Sequence, residues 1–481
     1  MNLGQMLVNT ARRFPERAAV TWGAHTLSYR ELDLRSDGLA RGLDRIGVGR
    51  GDRVALLMRN RPELVETMFA CFKAGYCIVP LNARFTRDEV DYHVADSGAT
   101  VLITDADVGA DSIVVEVGPE YEALTSTSGG STVAPIDRDD LAWLFYTSGT
   151  TGRPKGAMLT HGSLAFVTSS WLADLTPMTE LDVTLHAAPL SHGAGFHCLA
   201  AVARGAHQVI PLTARFDPVE TLDLMRSARV TNTWLVPTQI IMLTDSASGP
   251  LPDLRTIVYG GAPFPSPELQ RAVDTFGPVF VQLFGQGETP MTATFLPARE
   301  HHGGRLASAG VPRPGMDVRV LDALDHEVPF GEVGEVCVRG PAVMLGYWKR
   351  DDATAETLRN GWLHTGDLGR MDEFGYIYLL DRAKDMIITG GSNVYAVEVE
   401  AVVAGVAGVR EVAVIGVPDR TWGELVVAVV AGDPELEQPL SLACRAHLAG
   451  YKQPRRFEFV DALPRNTYGK VLKRDLRARF S

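Results

Sequence analysis

The sequence has few cysteines, no excess of basic charge and no long apolar run, and each shortage removes a class of protein. Five cysteines (Cys71, Cys77, Cys198, Cys337 and Cys444) are an odd number at spacings that match no zinc or redox motif. They read as small buried hydrophobes of a reducing compartment rather than a disulfide framework. Lys and Arg number 46 against 58 Asp and Glu, a formal charge of −12, with no basic block. That balance disfavours nucleic acid or an anionic membrane as partner. No stretch approaches the roughly 18–20 apolar residues of a membrane span. The first nineteen residues carry Arg12, Arg13, Glu16 and Arg17 in place of a signal-peptide core. A cytoplasmic protein is therefore expected.

What is present is ordinary globular material, 46% hydrophobic and 22% charged, which excludes disordered, collagenous and coiled-coil chains. At 481 residues the chain exceeds one domain of roughly 100–200 residues, so two to four lobes are expected. Short apolar runs, Arg53–Leu57, Thr100–Thr104, Thr256–Tyr259 and Val279–Leu283, read as buried strands. Amphipathic stretches between them, Ser28–Ile46 and Arg61–Ala74, read as helices, the first opening with a capping-box spacing from Ser28 to Glu31. Such alternation predicts an α/β fold of layered, largely parallel sheets covered by helices. Thr125–Asp140, rich in Ser, Thr, Gly and Asp, reads as a loop. Beyond residue 380 the texture changes to a small α+β lobe. There Val409–Val417 and Glu424–Ala431 are strands, Leu440–Leu448 is a helix, and Val394–Val403 fits either state. The charged run from Asp381 to Asp385 falls where a linker would.

The strongest local signal follows the strand Leu141–Phe145. It runs Tyr146-Thr147-Ser148-Gly149-Thr150-Thr151-Gly152-Arg153-Pro154-Lys155-Gly156. Glycines let backbone N–H groups approach a ligand, hydroxyls add donors, and Lys155 adds a point charge, which together suit phosphate. The spacing is not that of a Walker A loop. The string resembles the signature of the acyl-adenylate-forming superfamily, which includes acyl- and aryl-CoA ligases, luciferases and peptide-synthetase adenylation domains. Further motifs follow in that superfamily's order. Pro189-Leu190-Ser191-His192-Gly193 resembles its aromatic-or-histidine motif, and Tyr259-Gly260-Gly261-Ala262 its adenine-contacting turn. Phe284-Gly285-Gln286-Gly287-Glu288 resembles its Tyr-Gly-x-Thr-Glu motif. Gly361-Trp362-Leu363-His364-Thr365-Gly366-Asp367 with Asp381-Arg382 resembles the ribose and hinge motifs. Pro464 to Lys470 resembles the C-terminal catalytic-lysine motif.

The resemblance implies a large N-terminal domain (1–380), a hinge (381–384) turning on Lys384, and a small mobile C-terminal domain (385–481). It implies ATP, Mg²⁺ and coenzyme A as ligands. Thr147, Ser148, Gly149, Thr150, Thr151, Gly152 and Lys155 would hold the ATP phosphates, and Glu288 the metal. Gly260, Gly261 and Ala262 would contact the adenine, and Phe284, Gly285 and Gln286 would join the ATP- and AMP-binding residues. Asp367 and Arg382 would bind the ribose, and Lys470 would bridge α-phosphate and carboxylate. His192 would gate a pocket formed with Gly193, Gly195, Phe196, Gln239, Gly287 and Met291. Gly193 stands where an amino-acid-activating domain carries Asp, which argues against amino acids. The glycines suggest a roomy apolar pocket, with Gly287 enlarging its floor where the superfamily usually has Thr.

The C-terminal lobe most resembles that of the 4-chlorobenzoate–CoA ligase group. Coenzyme A would then meet Trp422, Tyr451, Arg455, Arg84 and the Gly390-Gly391 passage. Gln453 stands where that group has a cation. The implied activity is an ATP-dependent acyl-CoA synthetase acting on an aryl, alicyclic or fatty acid. The alternatives are an acyl-AMP ligase that loads a carrier protein, a monooxygenase, and a non-catalytic nucleotide-binding protein on the same fold.

Overall fold

The computed structural model describes residues 2–106, 112–130, 133–147, 153–382, 385–389, 392–465 and 471–480, with the backbone alone for Arg382. Among these residues the strands form four sheets. The nine-stranded sheet has a parallel centre, in which Tyr259 pairs with Gln282 and Leu235 with Tyr259. Its edges are antiparallel, at Phe280–Phe284 against Thr294–Leu296 and at Ala18–Trp22 against His25–Ser28. The six-stranded sheet is parallel from Ile113–Glu116 through Cys77–Pro80 to Leu141–Thr147, and closes with the antiparallel strand Lys155–Thr160. Strands buried on both faces are near-continuous apolar runs, as Ala142 to Tyr146 shows.

The local expectations hold at the ends of elements. Ser28 caps the helix Tyr29–Arg45, its hydroxyl accepting from the Glu31 amide while Glu31 Oε2 accepts from the Ser28 amide at 2.7 Å. The ambiguous stretch from Val394 is both states in turn, the strand Ser392–Val394 followed by the helix Ala396–Ala404. The largely parallel arrangement has one exception. The strands Asp317–Leu321, Val333–Arg339, Leu363–Met371 and Ile377–Arg382 form an antiparallel four-stranded sheet. Tight turns connect it, at Asp322–His326, where Asp325 has φ 62°, and at Asp372–Tyr376, where Gly375 has φ 83°.

The fifth-to-last strand onward belongs to a separate five-stranded sheet. Gly423–Ala431 lies between Glu411–Asp419, antiparallel, and Arg456–Val460, parallel. Apolar side chains cover it on both faces. Asp381 touches this unit, its carboxylate accepting from the Ala396 amide at 2.8 Å.

Candidate active site

The strand Leu141–Thr147 turns back into Lys155–Thr160, with Thr147 directly opposite Lys155. The phosphate-cradle loop is thus hung at the carboxyl end of a parallel strand, where α/β folds bind ligands. Ser148, Gly149, Thr150, Thr151 and Gly152 lie outside the described residues. The two residues at its described ends make defined contacts. Thr147 Oγ1 donates to Glu288 Oε1 at 2.9 Å, a bond that joins the six-stranded sheet to the nine-stranded one. Tyr347 donates to the same oxygen at 2.7 Å. The Lys155 ammonium sits 4.4 Å from the centre of the Tyr347 ring. Glu288 is buried, and its carbonyl accepts from the Met344 amide at 2.8 Å.

Tyr347 was not singled out by the sequence. Its place comes from the bridge Ala157–Tyr347 and the bond from Trp348 N–H to Gly156 carbonyl. The available signal was an aromatic pair just after Gly346, whose φ of 150° favours glycine.

The turn Gly285–Gly287 carries the second group. Gln286 Nε2 donates to the Thr365 carbonyl at 2.7 Å and to Asp367 Oδ2 at 2.6 Å. Asp367 is buried, and its amide donates to Thr365 Oγ1 at 3.1 Å. The backbone of Asp367 faces that of Arg382 across the sheet. Gly260 ends the adjacent strand so tightly that a Cβ would fall 2.4 Å from the Leu283 carbonyl. Gly261, at φ 80°, and Ala262 are exposed beside it. The structure therefore brings together Thr147, Lys155, Glu288, Gln286 and Asp367, with the Gly260–Ala262 turn at a neighbouring strand end. Lys384, Gly390, Gly391 and Lys470 lie outside the described residues, as does the side chain of Arg382.

The acid-pocket residues divide into two kinds. His192 stands edge-on to Phe145 with ring centres 5.5 Å apart, and its Nδ1 is 2.9 Å from Ser191 Oγ. Burial pushes its pKa down to about 4, so the ring is neutral at pH 7. Met291, at φ 54°, packs over Gly193, where a Cβ would lie 2.6 Å from the Met291 sulfur and 2.7 Å from Trp234. Phe196, by contrast, is fully buried against Trp143, with ring centres at 5.0 Å. A Cβ at Gly195 would strike the Leu190 carbonyl and Trp143, so this glycine serves the packing of the helix Gly193–Arg204. Gln239 caps the helix Pro237–Ser246, accepting from the Val236 amide at 3.2 Å and donating to the Ala187 carbonyl at 3.4 Å.

Gly287 corrects an expectation. A Cβ there would lie 2.5 Å from Phe145 and 2.5 Å from the Thr147 methyl. The volume that a Thr would occupy is filled from the opposite strand, and the floor is not enlarged. Around Gly193, Gly195 and Gly287, aromatic and methionine side chains fill the space the glycines leave.

On the small lobe, the Arg455 guanidinium stacks 4.0 Å from the Trp422 ring centre. Trp422 and Tyr451 are both partly open to solvent, at 38% and 44%. Asp419 shapes the turn by accepting from the amides of Thr421 and Trp422. Gln453 donates to the Leu448 carbonyl at 3.0 Å, and Lys452 pairs with Glu398 at 2.5 Å. Arg84 is exposed in the loop after the strand Cys77–Pro80. Among the described residues no helix is long and apolar enough to cross a membrane.

Comparison with known proteins agrees with this geometry. Residues 7–348 match the family described as AMP-binding enzyme, and residues 398–470 its C-terminal domain. A feruloyl-CoA synthase from an Amycolatopsis species is 43% identical, over 99% of both chains. A fatty acid–[acyl-carrier-protein] ligase from Streptomyces coeruleorubidus is 36% identical over 99% of this chain and 96% of its own. The o-succinylbenzoate CoA synthetase of Bacillus subtilis, solved with its acyl-adenylate intermediate, superposes with a TM-score of 0.90. It is 32% identical, covering 98% of this chain and 97% of its own.

Proposed function

The chain belongs to the AMP-binding enzyme family, and from that premise we propose that it is an ATP-dependent acyl-CoA synthetase for an apolar carboxylic acid. The observation that carries this reading is the convergence of the Thr147 and Tyr347 hydroxyls on Glu288, with Lys155 over the Tyr347 ring and Gln286 bonded to Asp367 nearby. A buried carboxylate held by two hydroxyls, with a cation on the ring of one of them, is what a metal–triphosphate complex needs. Both hydroxyls use Oε1 of Glu288, so Oε2 is the oxygen that would ligate Mg²⁺. The ion would neutralise charge on the phosphates.

In the first half-reaction the acid's carboxylate oxygen forms a bond to the α-phosphorus of ATP and the bond to pyrophosphate breaks. Lys155 and the hydroxyls of the cradle stabilise the departing charge, and Lys470 holds the two anions together. Asp367 accepts from the ribose hydroxyls, oriented by the Gln286 amide. In the second half-reaction the CoA thiolate attacks the acyl carbonyl and AMP leaves. The neutral ring of His192 lets it act as a gate without adding charge to an apolar wall. Arg455 on Trp422 offers a cation and an aromatic face to the nucleotide end of CoA. The small unit, taken as 385–481, turns about Lys384 between the two steps.

The acid is an aryl acid of the feruloyl kind, given the relative at 43% identity and the aromatic wall of Phe145 and Trp234. A second reading, transfer to a carrier protein, rests on the relative that is a carrier-protein ligase. Pyrophosphate release across aryl, cyclic and linear acids, with and without CoA, decides. CoA-dependent thioester formation with a hydroxycinnamic acid supports the proposal. Adenylation followed by acyl transfer only to a phosphopantetheinylated carrier replaces it with the second reading.

A further inference from the structure

One group of side chains, largely buried, touches no reactant in this chemistry. Glu335 and Cys337 project from the same face of the strand Val333–Arg339, and His364 lies directly opposite Cys337 on Leu363–Met371. His364 Nδ1 is 2.8 Å from Glu335 Oε2 and 3.4 Å from Cys337 Sγ. One ligand atom from each of the three falls within 4.8 Å of the others. On the other side of the ring, His364 Nε2 is 3.6 Å from Asp325 Oδ1. Both of those atoms are buried without a hydrogen-bond partner, and the His364 side chain is only 3% exposed.

No neutral tautomer satisfies this surrounding. A proton on Nδ1 serves Glu335 but leaves Nε2 facing Asp325, acceptor against acceptor. A proton on Nε2 serves Asp325 but sets Nδ1 against the Glu335 oxygen. An electron-pair acceptor at Nδ1 removes the conflict, because Nε2–H then donates to Asp325. Metal-bound histidines are commonly oriented by a carboxylate in this way. Asp325 is itself held, its Oδ2 accepting from Asn360 Nδ2 at 2.6 Å.

We infer that Glu335, Cys337 and His364 form a binding site for a single thiophilic divalent cation such as zinc, with Asp325 orienting the histidine. Thiolate, imidazole and carboxylate together select zinc over magnesium or calcium. At usual zinc–ligand distances, tetrahedral sulfur and nitrogen ligands sit about 3.5 Å apart, close to the separation seen here. The carboxylate must swing out by about 0.6 Å, which the partly exposed Glu335 can do. Arg359 already reaches Glu335 at 3.3 Å and Asp325 at 3.8 Å from the solvent side. With the thiolate and both carboxylates ionised, Arg359 and a divalent ion bring the cluster to neutrality. Binding releases the thiol proton and leaves the imidazole proton on Nε2.

The site is coupled to nucleotide binding. Glu335 Oε1 accepts from the Gly366 amide at 2.8 Å, in the turn that carries Asp367. An ion on Oε2 would fix that turn, whereas an empty site leaves Glu335 to hold it alone.

The experiment titrates metal-stripped, full-length protein with Co²⁺. The expected result is one equivalent bound with a thiolate-to-cobalt charge-transfer band and tetrahedral visible bands, displaced by Zn²⁺. The band should vanish in Cys337→Ser, while Asp325→Asn keeps it with an affinity roughly 10- to 100-fold lower. Zn²⁺ should also raise the melting temperature of the native protein and not that of Cys337→Ser. The native titration decides even if a variant does not fold. No band in the native protein overturns the inference. A band that persists in a folded Cys337→Ser also overturns it.

Discussion

Tyr347 joins the two opposite charges of the active site, donating its hydroxyl to Glu288 at 2.7 Å while its ring lies 4.4 Å beneath the Lys155 ammonium. The residue thus sets the position of both the carboxylate and the cation before any ligand arrives. A hydrogen bond to a buried carboxylate is worth about 1.5–3 kcal/mol. Tyr347→Phe should keep the ring contact, lose that bond, and lower kcat/KM for ATP by about 10-fold. Tyr347→Leu should cost more, because the cation–π contact of about 0.5–2 kcal/mol goes as well. Pyrophosphate release at varied Mg²⁺ measures both, and an unchanged Tyr347→Phe would show that Thr147 suffices to hold Glu288.

Gly287 and Phe145 are coupled through space. The Cβ of Gly287→Ala would lie 2.5 Å from Phe145 and from the Thr147 methyl, so overpacking should destabilise the protein by about 1–3 kcal/mol. Phe145→Leu should relieve the clash, and the double variant should melt above Gly287→Ala alone. Phe145→Leu by itself should widen the pocket and improve turnover of bulkier acids relative to slim ones. A double-mutant cycle in melting temperature reads the coupling, and additivity of the two changes would contradict the contact.

These two predictions mark where the sequence stopped being sufficient. Glu288 and Asp367 could be singled out because each belongs to a short local motif in the sequence. The capping box at Ser28 was legible for the same reason, since four consecutive residues make it. Tyr347 was not, because its role depends on a bridge to Ala157 in a distant strand. The filling of the Gly287 space by Phe145 depends likewise on how two sheets meet. The antiparallel sheet escaped the strand–helix reading although its hairpin at Asp372–Gly375 carried a turn signal. Phe196 and Gly195 were read as pocket residues from their motif, but the helix rotation that buries them against Trp143 is set by tertiary packing.

In the proposed mechanism Lys470 would separate the two half-reactions. Its charge would be needed where carboxylate and α-phosphate meet, and it would have no task when the thiolate attacks the finished adenylate. Lys470→Ala should cut acid-dependent pyrophosphate release by about 100- to 1000-fold, the loss usual for one electrostatic group at a transition state. Thioester formation from supplied acyl-AMP and CoA should fall by less than about 3-fold on the same reasoning. Equal losses in both assays would remove the lysine from its proposed role and point to a folding defect instead.

Buried neutral histidines should set the acid limit of the fold. Burial lowers the pKa of His186 to about 4, of His192 to about 4 and of His197 to about 3. His197 is lowered further by the charge His186 would carry, its ring centre 6.0 Å away. In the unfolded chain each would titrate near 6.5. Between pH 6.5 and about 4 the unfolded state therefore binds more protons, and stability falls as pH falls through that window. It is fully present above about 6.5, and each ring contributes on the order of 1.4 kcal/mol per pH unit below it. Three rings together give a loss of about 6 kcal/mol by about pH 5, the lower end of the 5–15 kcal/mol stability of a typical domain. The melting temperature should be flat from pH 7 to 8 and drop steeply below 6. His186→Gln, which can still bond to Gln208, should flatten that drop by about one proton in the linkage slope. A melting temperature unchanged between pH 7 and 5 would mean that these rings take up protons alike in the folded and unfolded protein, which contradicts the downward shifts.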